Sequence, residues 1–192
     1  MAYNKKDIDF DFSATEKIQL GLLNNHIHFL YGEICEDNVS DAIKWIVYEN
    51  LNLREDKILT LYVNSNGGYL SDAFALIDIM KTSKIPIQTV GIGSITSAAF
   101  LIFSAGTRGL RYIAKNTSIM CHQFSSGNEG KYHDIKAQMK ETDLTNQRMI
   151  DVLKETTGLT AKIIASKLLP PSDVYLTPEE LIRYGVADDY LT

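Results

Sequence analysis

The sequence holds little cysteine and no long apolar run. Its two cysteines, Cys35 and Cys121, form neither a CxxC pair nor a metal-ligand spacing. A disulfide framework is therefore not indicated, and we expect a reducing, cytoplasmic setting. The longest strongly apolar stretch, Ala98 to Phe103, is too short to span a bilayer. Residues 1 to about 15 are polar and irregular, which predicts an N-terminal arm and no secretory signal.

Basic charge is also scarce. The 192 residues carry 19 Lys and Arg against 24 Asp and Glu, a net charge of −5, and no basic cluster stands out. Nothing in this balance supports nucleic-acid binding. What the sequence does have is 45% hydrophobic and 22% charged residues, the composition of one soluble globular domain with a substantial core.

Strand and helix patterns alternate along the first two thirds of the chain. Short apolar runs predict strands, and apolar residues at helical spacing predict helices. This alternation indicates βαβ units, a mainly parallel sheet and an α/β fold. The predicted strands are 26–31, 58–63, 87–90, 111–113 and 118–121; the predicted helices are 40–50, 70–80 and 97–104.

The last third has a different character. Residues 131 to about 157 predict a long, charge-rich helix that ends at Gly158. Because only parts of it are apolar, we expect it to project and meet a partner subunit; a solvated surface helix is the alternative. Thr177-Pro178-Glu179-Glu180 predicts a capping box that opens a helix ending at Gly185, followed by a strand over 186–191.

A candidate nucleophile follows the turn predicted at 91–96. Ser97 begins an apolar helix, where free N–H groups and the helix dipole favour negative charge. Such a position suits a nucleophile that must stabilise an oxyanion. Taken alone, an ordinary N-cap serine is the commoner interpretation. Ser97 also lacks the G-x-S-x-G pattern of an α/β-hydrolase.

A base and its orienting group are also available. His122 ends an apolar strand and points opposite Cys121 by strand alternation. Asp173 has a position suited to holding the imidazole, which would complete a Ser-His-Asp triad.

A glycine pair offers an oxyanion hole. The Gly67-Gly68 turn follows a predicted strand, as do Ser97 and His122, so all of them should meet at one sheet edge. The N–H groups of this turn and of Ala98 would then face the developing negative charge. A simple tight turn is the alternative.

The other polar candidates are weaker. His26 and His28 share one face of a predicted strand, but no third metal ligand is evident, which favours a solvent-facing pair. His133 is expected to be exposed, and Cys121 to be a core residue.

Taken together, these segments resemble the Clp protease proteolytic-subunit family (ClpP, peptidase family S14), of which the chain looks like a divergent member. The resemblance covers roughly residues 20–192 and implies a crotonase-like α/β fold of βαβ units with a projecting "handle" helix. The motifs occur in order and at matching spacings. They are Asn64-Ser65-Asn66-Gly67-Gly68, Gly93 through Ser97-Ala98-Ala99, Met120-Cys121-His122-Gln123, Gly127-Asn128-Glu129-Gly130, Asp173-Val174-Tyr175-Leu176-Thr177, and Glu180 through Tyr184-Gly185-Val186-Ala187-Asp188.

The resemblance implies a serine endopeptidase that hydrolyses unfolded proteins inside an oligomeric chamber, with no cofactor or metal. Ser97, His122 and Asp173 match the family triad, and the backbone N–H groups of Gly68 and Ala98 match its oxyanion hole. Extended peptide would bind by β-augmentation. The matching substrate-binding residues are Leu70, Ser125, Ser126 and Gly127.

The resemblance further implies homo-oligomeric heptameric rings, two of them stacked through the handle. A single domain would span 1–192, with the arm at about 1–15 and the handle region at about 123–158. An AAA+ unfoldase would dock on Tyr62, Tyr112 and Leu191. Because the chain has no P-loop, any use of ATP belongs to that partner. Neither nucleic acid nor a membrane is implied as a partner.

Three positions depart from the family pattern. Asn66 stands where proline is usual, and Ala98 where methionine is usual, which predicts a wider pocket for the residue before the scissile bond. Ser172 replaces an arginine that makes a ring-to-ring ion pair, and the N-terminal arm differs from the family's axial loop. Two other functions remain open: a weakly active or inactive ring subunit of a Clp assembly, and a crotonase-type acyl-CoA enzyme.

Overall fold

A mixed, mostly parallel sheet organises the chain in the computed structural model, which describes residues 12–52, 56–125, 127 and 129–192. Its strands are β1 (Ile27–Tyr31), β2 (Leu59–Ser65), β3 (Ile87–Thr96), β4 (Arg111–Ile113), β5 (Ser118–Cys121), β6 (Val174–Leu176) and β7 (Asp189–Tyr190). The main order is β1-β2-β3-β4-β7, while β5 pairs with β3 and β6. Every pairing is parallel except β5 with β6. The predicted α/β fold is confirmed.

The helices of the described residues are α1 (Ala14–Asn24), α2 (Glu36–Leu51), α3 (Leu70–Thr82), α4 (Ala98–Ser104), α5 (Tyr132–Thr157), α6 (Ala161–Lys167) and α7 (Pro178–Arg183). The Thr177 capping box is confirmed, with its side chain accepting from the Glu180 N–H. The predicted strand at 186–191 is shorter in the structure and consists of β7.

Two helices were not predicted. The first, α1, begins behind a capping box of Ser13 and Glu16, inside the segment expected to be an irregular arm. It buries none of its residues, and its apolar side chains Ile18, Leu20 and Leu23 are exposed. Residues 1–11 of that arm lie outside the described part of the chain. The second, α6, has only seven residues and starts at the Thr160 cap.

The sheet has one buried and one partly open face. Along β2, buried Leu59, Leu61 and Val63 alternate with half-buried Thr60 and Tyr62. The buried set packs into the core together with α2, α3 and α4. The half-buried residues Thr60 and Tyr62 lie on the opposite face of the sheet, which we call the outer sheet face.

The third strand is longer than predicted, and this difference positions Ser97, the candidate nucleophile. A strand over 87–90 and a turn over 91–96 were expected; instead β3 runs on to Thr96 with a register shift against β2. Gly91 and Gly93 are residues of a type that usually interrupts a strand, but here they allow neighbouring side chains to pack closely against the backbone of β3. A Cβ on Gly91 would lie 2.1 Å from the Ile95 side chain, and one on Gly93 would lie 2.5 Å from the Asn64 side-chain oxygen.

The long helix α5 is largely exposed. Its 26 residues span about 39 Å at the usual rise. Its buried residues begin only at Met149, so the preceding part lies away from the core, as predicted. Gly158 ends the helix in the left-handed conformation, with φ 77°. Within the described residues, none of the helices combines the length and the apolar character needed to cross a membrane.

Candidate active site

Ser97 lies at the junction of β3 and α4 in a strained backbone conformation. Its φ of 55° and ψ of −123° are uncommon for any residue other than glycine. The conformation is held by an N–H that donates to the Met120 carbonyl at 3.0 Å. Ser97 occupies the N-cap position of α4, but its side chain makes no capping hydrogen bond. The hydroxyl is therefore available for another partner.

That partner is His122. Strand β5 pairs with the end of β3, Thr96 opposite Met120, and His122 follows directly after β5. The His122 Nε2 and Ser97 Oγ atoms lie 2.8 Å apart. This is hydrogen-bond distance, and it is the contact that a general base needs with its nucleophile.

Asp173 faces the other nitrogen of the same imidazole. In the antiparallel pairing of β5 with β6, Cys121 is opposite Val174, so His122 and Asp173 occupy the next opposed pair. The Nδ1 to Oδ1 distance is 3.4 Å. The Asp173 side chain is 54% exposed and that of His122 is 22% exposed. A carboxylate so exposed adds little stability and acts on the ring mainly through orientation.

Gln123 is a residue that the sequence analysis did not single out. Its side-chain amide donates to the Leu169 carbonyl at 3.1 Å. The bond ties the segment after His122 to the segment that leads into Asp173. The only signal in the sequence was its position beside His122.

The glycine turn presents a free backbone edge to Ser97. The Ile34 N–H donates to the Gly67 carbonyl, and the Tyr69 N–H donates to the Ile34 carbonyl, both at 2.8 Å. In this parallel bridge the N–H and C=O of Gly68 itself point away from Ile34. Among the described hydrogen bonds, none is donated by the Gly68 or the Ala98 N–H.

Both glycines are required by close approach. A Cβ on Gly67 would lie 2.6 Å from the Ser97 Cβ and 3.1 Å from the Ala98 nitrogen. A Cβ on Gly68 would lie 2.2 Å from the Ile34 carbonyl oxygen. A side chain at Gly67 would push the turn away from Ser97, and one at Gly68 would push it away from the Ile34 backbone.

A cavity of about 320 Å³ opens onto these groups, and we call it the catalytic cavity. The expected substrate residues Leu70 and Ser125 line it; Ser126 lies outside the described residues, and exposed Gly127 is not part of the lining. The Ala98 side chain is fully buried and is also not part of the lining. The wider pocket expected from Ala98 therefore stays a prediction. The lining consists of Gly68, Tyr69, Leu70, Ser97, His122, Phe124, Ser125 and Thr145.

A family model described as Clp protease matches residues 12–192. The chain belongs to the Clp protease family. Family membership confirms the resemblance drawn from the sequence and makes the chain a ClpP-type protease, a hydrolase of peptide bonds. The α/β architecture with its long handle helix agrees with that family's fold.

In this Clp protease chain the three expected docking residues share the outer sheet face. Tyr62 is opposite Val90 and Val90 is opposite Tyr112, so the two tyrosines lie in one row across the sheet. Tyr62 stacks on Phe29 with ring centroids 4.8 Å apart. Leu191 follows β7, donates its N–H to the Ile113 carbonyl of β4 at 2.9 Å and is 37% exposed.

The weaker candidates do not form a metal site. His26 precedes β1 with φ 59°, so it does not share a strand face with His28 as expected. Its Nδ1 lies 3.2 Å from Glu49, a buried carboxylate that also pairs with Lys57. His28 instead stacks on Trp45. The described residues contain no metal-binding group of three or more His, Cys, Asp or Glu.

The remaining two candidates behave as expected. His133 is exposed and lies edge-on to Tyr132. Cys121 is buried, and burial raises the pKa of its thiol to about 12. It is therefore a protonated core residue and not a nucleophile.

Proposed function

We propose that this chain is the proteolytic subunit of an ATP-dependent Clp protease. In this role it is a serine endopeptidase that hydrolyses peptide bonds of unfolded proteins inside an oligomeric chamber. The observation that carries the proposal is the 2.8 Å contact between Ser97 Oγ and His122 Nε2, with Asp173 on the opposite ring nitrogen. The family match supplies the protease chemistry that these groups would perform.

The proposed mechanism follows from these positions. Ser97 Oγ attacks the peptide carbonyl while His122 Nε2 accepts the hydroxyl proton. Asp173 accepts a hydrogen bond from Nδ1–H and stabilises the imidazolium. The N–H groups of Gly68 and Ala98 donate to the tetrahedral oxyanion. The C–N bond then breaks as His122 protonates the leaving amine, and water activated by His122 hydrolyses the acyl-enzyme.

Backbone pairing explains how such a site would accept many sequences. The Gly68 edge that faces away from Ile34 offers an N–H and a C=O to an extended chain. Leu70, the first residue of α3, comes shortly after this edge, and Ser125 and Gly127 would lie along the other side of the peptide. Main-chain hydrogen bonds of this kind hold a substrate with little regard to its side chains.

The proposed assembly is a pair of stacked heptameric rings in the cytoplasm, built from single domains spanning 1–192. The handle helix carries exposed apolar side chains at Tyr132, Met139 and Leu144, which a second ring would cover. The outer sheet face, with Tyr62 and Leu191, would receive an AAA+ unfoldase. Both surfaces remain open on the single chain.

Active-site labelling tests the proposal. A fluorophosphonate probe should modify Ser97 in the wild-type protein and should not modify Ser97→Ala. Ser166→Ala is the matched control, because that serine is exposed on α6 and does not line the cavity at Ser97. Peptide hydrolysis that persists in Ser97→Ala would refute the mechanism. An assembled ring that is not labelled would favour the inactive-subunit alternative. The mass of the intact particle would give the number of subunits and hence of rings.

A further inference from the structure

Two hydrogen bonds to side chains connect the glycine turn and the strand before it to the strand that carries Ser97. Ser94, three residues before Ser97 on β3, donates its N–H to Asn64 Oδ1 at 2.9 Å. Its hydroxyl donates to Asn66 Oδ1 at 2.7 Å. Because Asn66 directly precedes Gly67, the second bond joins the turn itself to β3.

These bonds occur where the regular pairing of β2 with β3 is interrupted. Val63 is opposite Gly91, but Ser65 is opposite Ile95, so residues 92–94 of β3 face a single residue of β2. Such an irregularity disrupts the backbone ladder locally. Side-chain hydrogen bonds therefore connect the two strands at the point where the glycine turn leaves the sheet.

Other hydrogen bonds hold the turn against Ile34. The Ile34 N–H donates to the Gly67 carbonyl, and the Tyr69 N–H donates to the Ile34 carbonyl. Within the turn, the buried Ser65 hydroxyl accepts from the Gly67 N–H at 3.0 Å. These bonds fix the turn on the side of Ile34 and do not reach β3. The bond from Ser94 to Asn66 acts on the side of the nucleophile.

The residue type at position 66 explains why the turn needs this bond. A proline, which is usual in the family at this position, would restrict its own φ to about −65° through its ring. Asparagine has no such restriction, and Gly67 and Gly68, with φ 97° and 154°, add further conformational freedom. A turn with more freedom loses more entropy when it is ordered. The bond from Ser94 restricts Asn66 by a tertiary contact instead.

We propose that Asn66 and Ser94 are positioning residues that set the distance between the Gly68 N–H and Ser97. This inference rests on the serine-peptidase function proposed above. The Gly68 N–H would donate to the tetrahedral oxyanion, so displacement of the turn would weaken that hydrogen bond. Because the bond is stronger in the transition state than with bound substrate, its weakening lowers kcat and leaves KM nearly unchanged.

The size of the effect follows from the exposure of the two residues. Asn66 is exposed and Ser94 is half-buried, so their hydrogen bond is a neutral one of ordinary strength. Loss of such a bond corresponds to about a three- to tenfold decrease in kcat. Thermal unfolding should change little, because neither side chain belongs to the buried core.

The first test removes the bond from each end. Ser94→Ala and Asn66→Ala should each lower kcat for an internally quenched peptide by that factor, with little change in KM. The double variant should lose no more than either single variant, because both changes remove the same bond. Ser94→Thr keeps a hydroxyl and should retain most of the activity. Ser118→Ala is the control: this exposed serine is opposite Ser94 on β5, does not line the cavity at the glycine turn, and should keep wild-type kcat.

The second test separates the oxyanion from substrate binding. A peptide boronate forms a tetrahedral adduct with a nucleophilic serine, and its affinity should fall in Ser94→Ala by the same factor as kcat. The unmodified peptide, titrated onto Ser97→Ala and Ser97→Ala/Ser94→Ala with fluorescence anisotropy as the signal, should bind both variants with nearly equal Kd.

The outcomes distinguish this inference from the proposed function. Wild-type kcat in Ser94→Ala, additive losses in the double variant, or a boronate affinity that Ser94→Ala leaves unchanged would overturn the positioning role. A weaker Kd for the unmodified peptide that accounts for the whole loss of activity would overturn it too. Cleavage that survives Ser97→Ala would instead refute the proposed function.

Discussion

Replacing Gly67 by alanine tests how closely the glycine turn approaches Ser97. The new Cβ would lie 2.6 Å from the Ser97 Cβ, whereas ordinary contact begins at 3.4 Å. Ser97 or the turn must therefore recede by about 0.8 Å, since cores are close-packed. The backbone atoms Thr96 O at 2.9 Å and Ala98 N at 3.1 Å leave little room for relief.

Such a displacement should disable the site more than it destabilises the fold. Movement of Ser97 would disturb its 2.8 Å contact with His122, and movement of the turn would carry the Gly68 N–H away from Ser97. A misplacement of about 1 Å costs about 100-fold in rate. We therefore expect kcat/KM for a peptide substrate and the rate of fluorophosphonate labelling to fall about 100-fold in Gly67→Ala.

Gly109→Ala is the matched control. Gly109 has φ 89°, close to the 97° of Gly67, but a Cβ there meets nothing within 4 Å. Both variants carry the backbone strain of a left-handed alanine, about 1–2 kcal/mol of unfolding free energy, which thermal unfolding measures. Only Gly67→Ala adds the collision with Ser97. Equal activity in the two variants would refute the close-approach reasoning.

Three further outcomes are expected. Gln123→Ala removes the bond to the segment that leads to Asp173, so it should lower kcat with little change in KM and shift the acidic limb of the pH–kcat/KM profile. A rise in KM with unchanged kcat would contradict a positioning role. At pH 8 iodoacetamide should modify Cys35 and spare Cys121 until denaturant is added, because Cys121 is buried and burial raises its thiol pKa to about 12. Mass spectrometry measures the alkylation, and native protein alkylated at both cysteines would contradict this. Burial raises the pKa of Asp188, but the hydrogen bonds and charge of Arg111 outweigh burial and hold this pKa below its usual value. The ionised Asp188 therefore stabilises the fold at neutral pH. This stabilisation is lost as the pH falls through the lowered pKa. Asp188→Asn should lower the free energy of unfolding by about 3–5 kcal/mol at pH 7, because it leaves Arg111, whose side chain is 1% exposed, without its charge partner. In urea unfolding, this difference from wild type should narrow below about pH 4. A difference independent of pH would contradict the linkage.

Locally encoded elements were predictable because their signals lie within a few residues. The capping box at Thr177 and the left-handed stop at Gly158 need no distant partner, and both occur as expected. The strand at 118–121 matches the prediction at both ends. Helix α1 was not predicted, because the Ser13 cap that begins it is not followed by a buried apolar face.

Glycine misled the prediction of β3. Gly91 and Gly93 indicate a turn by their own preferences, yet the strand continues because neighbouring side chains fill the space that a Cβ would take. That packing involves Asn64 and Ile113, which are distant in the sequence. Local propensity contains no information about it.

The sequence by itself determined the types of most elements, the motif spacing that indicates a Clp protease, and the residue types suited to a triad. Tertiary structure decided how these residues meet. The antiparallel register of β5 with β6 sets Asp173 opposite His122, and Gly67 approaches Ser97 because Ile34 holds the turn. Ser94 reaches Asn66 only because β3 pairs with β2. Each arrangement depends on contacts between segments far apart in the chain, and such contacts become fixed only when the strands pair and the core packs.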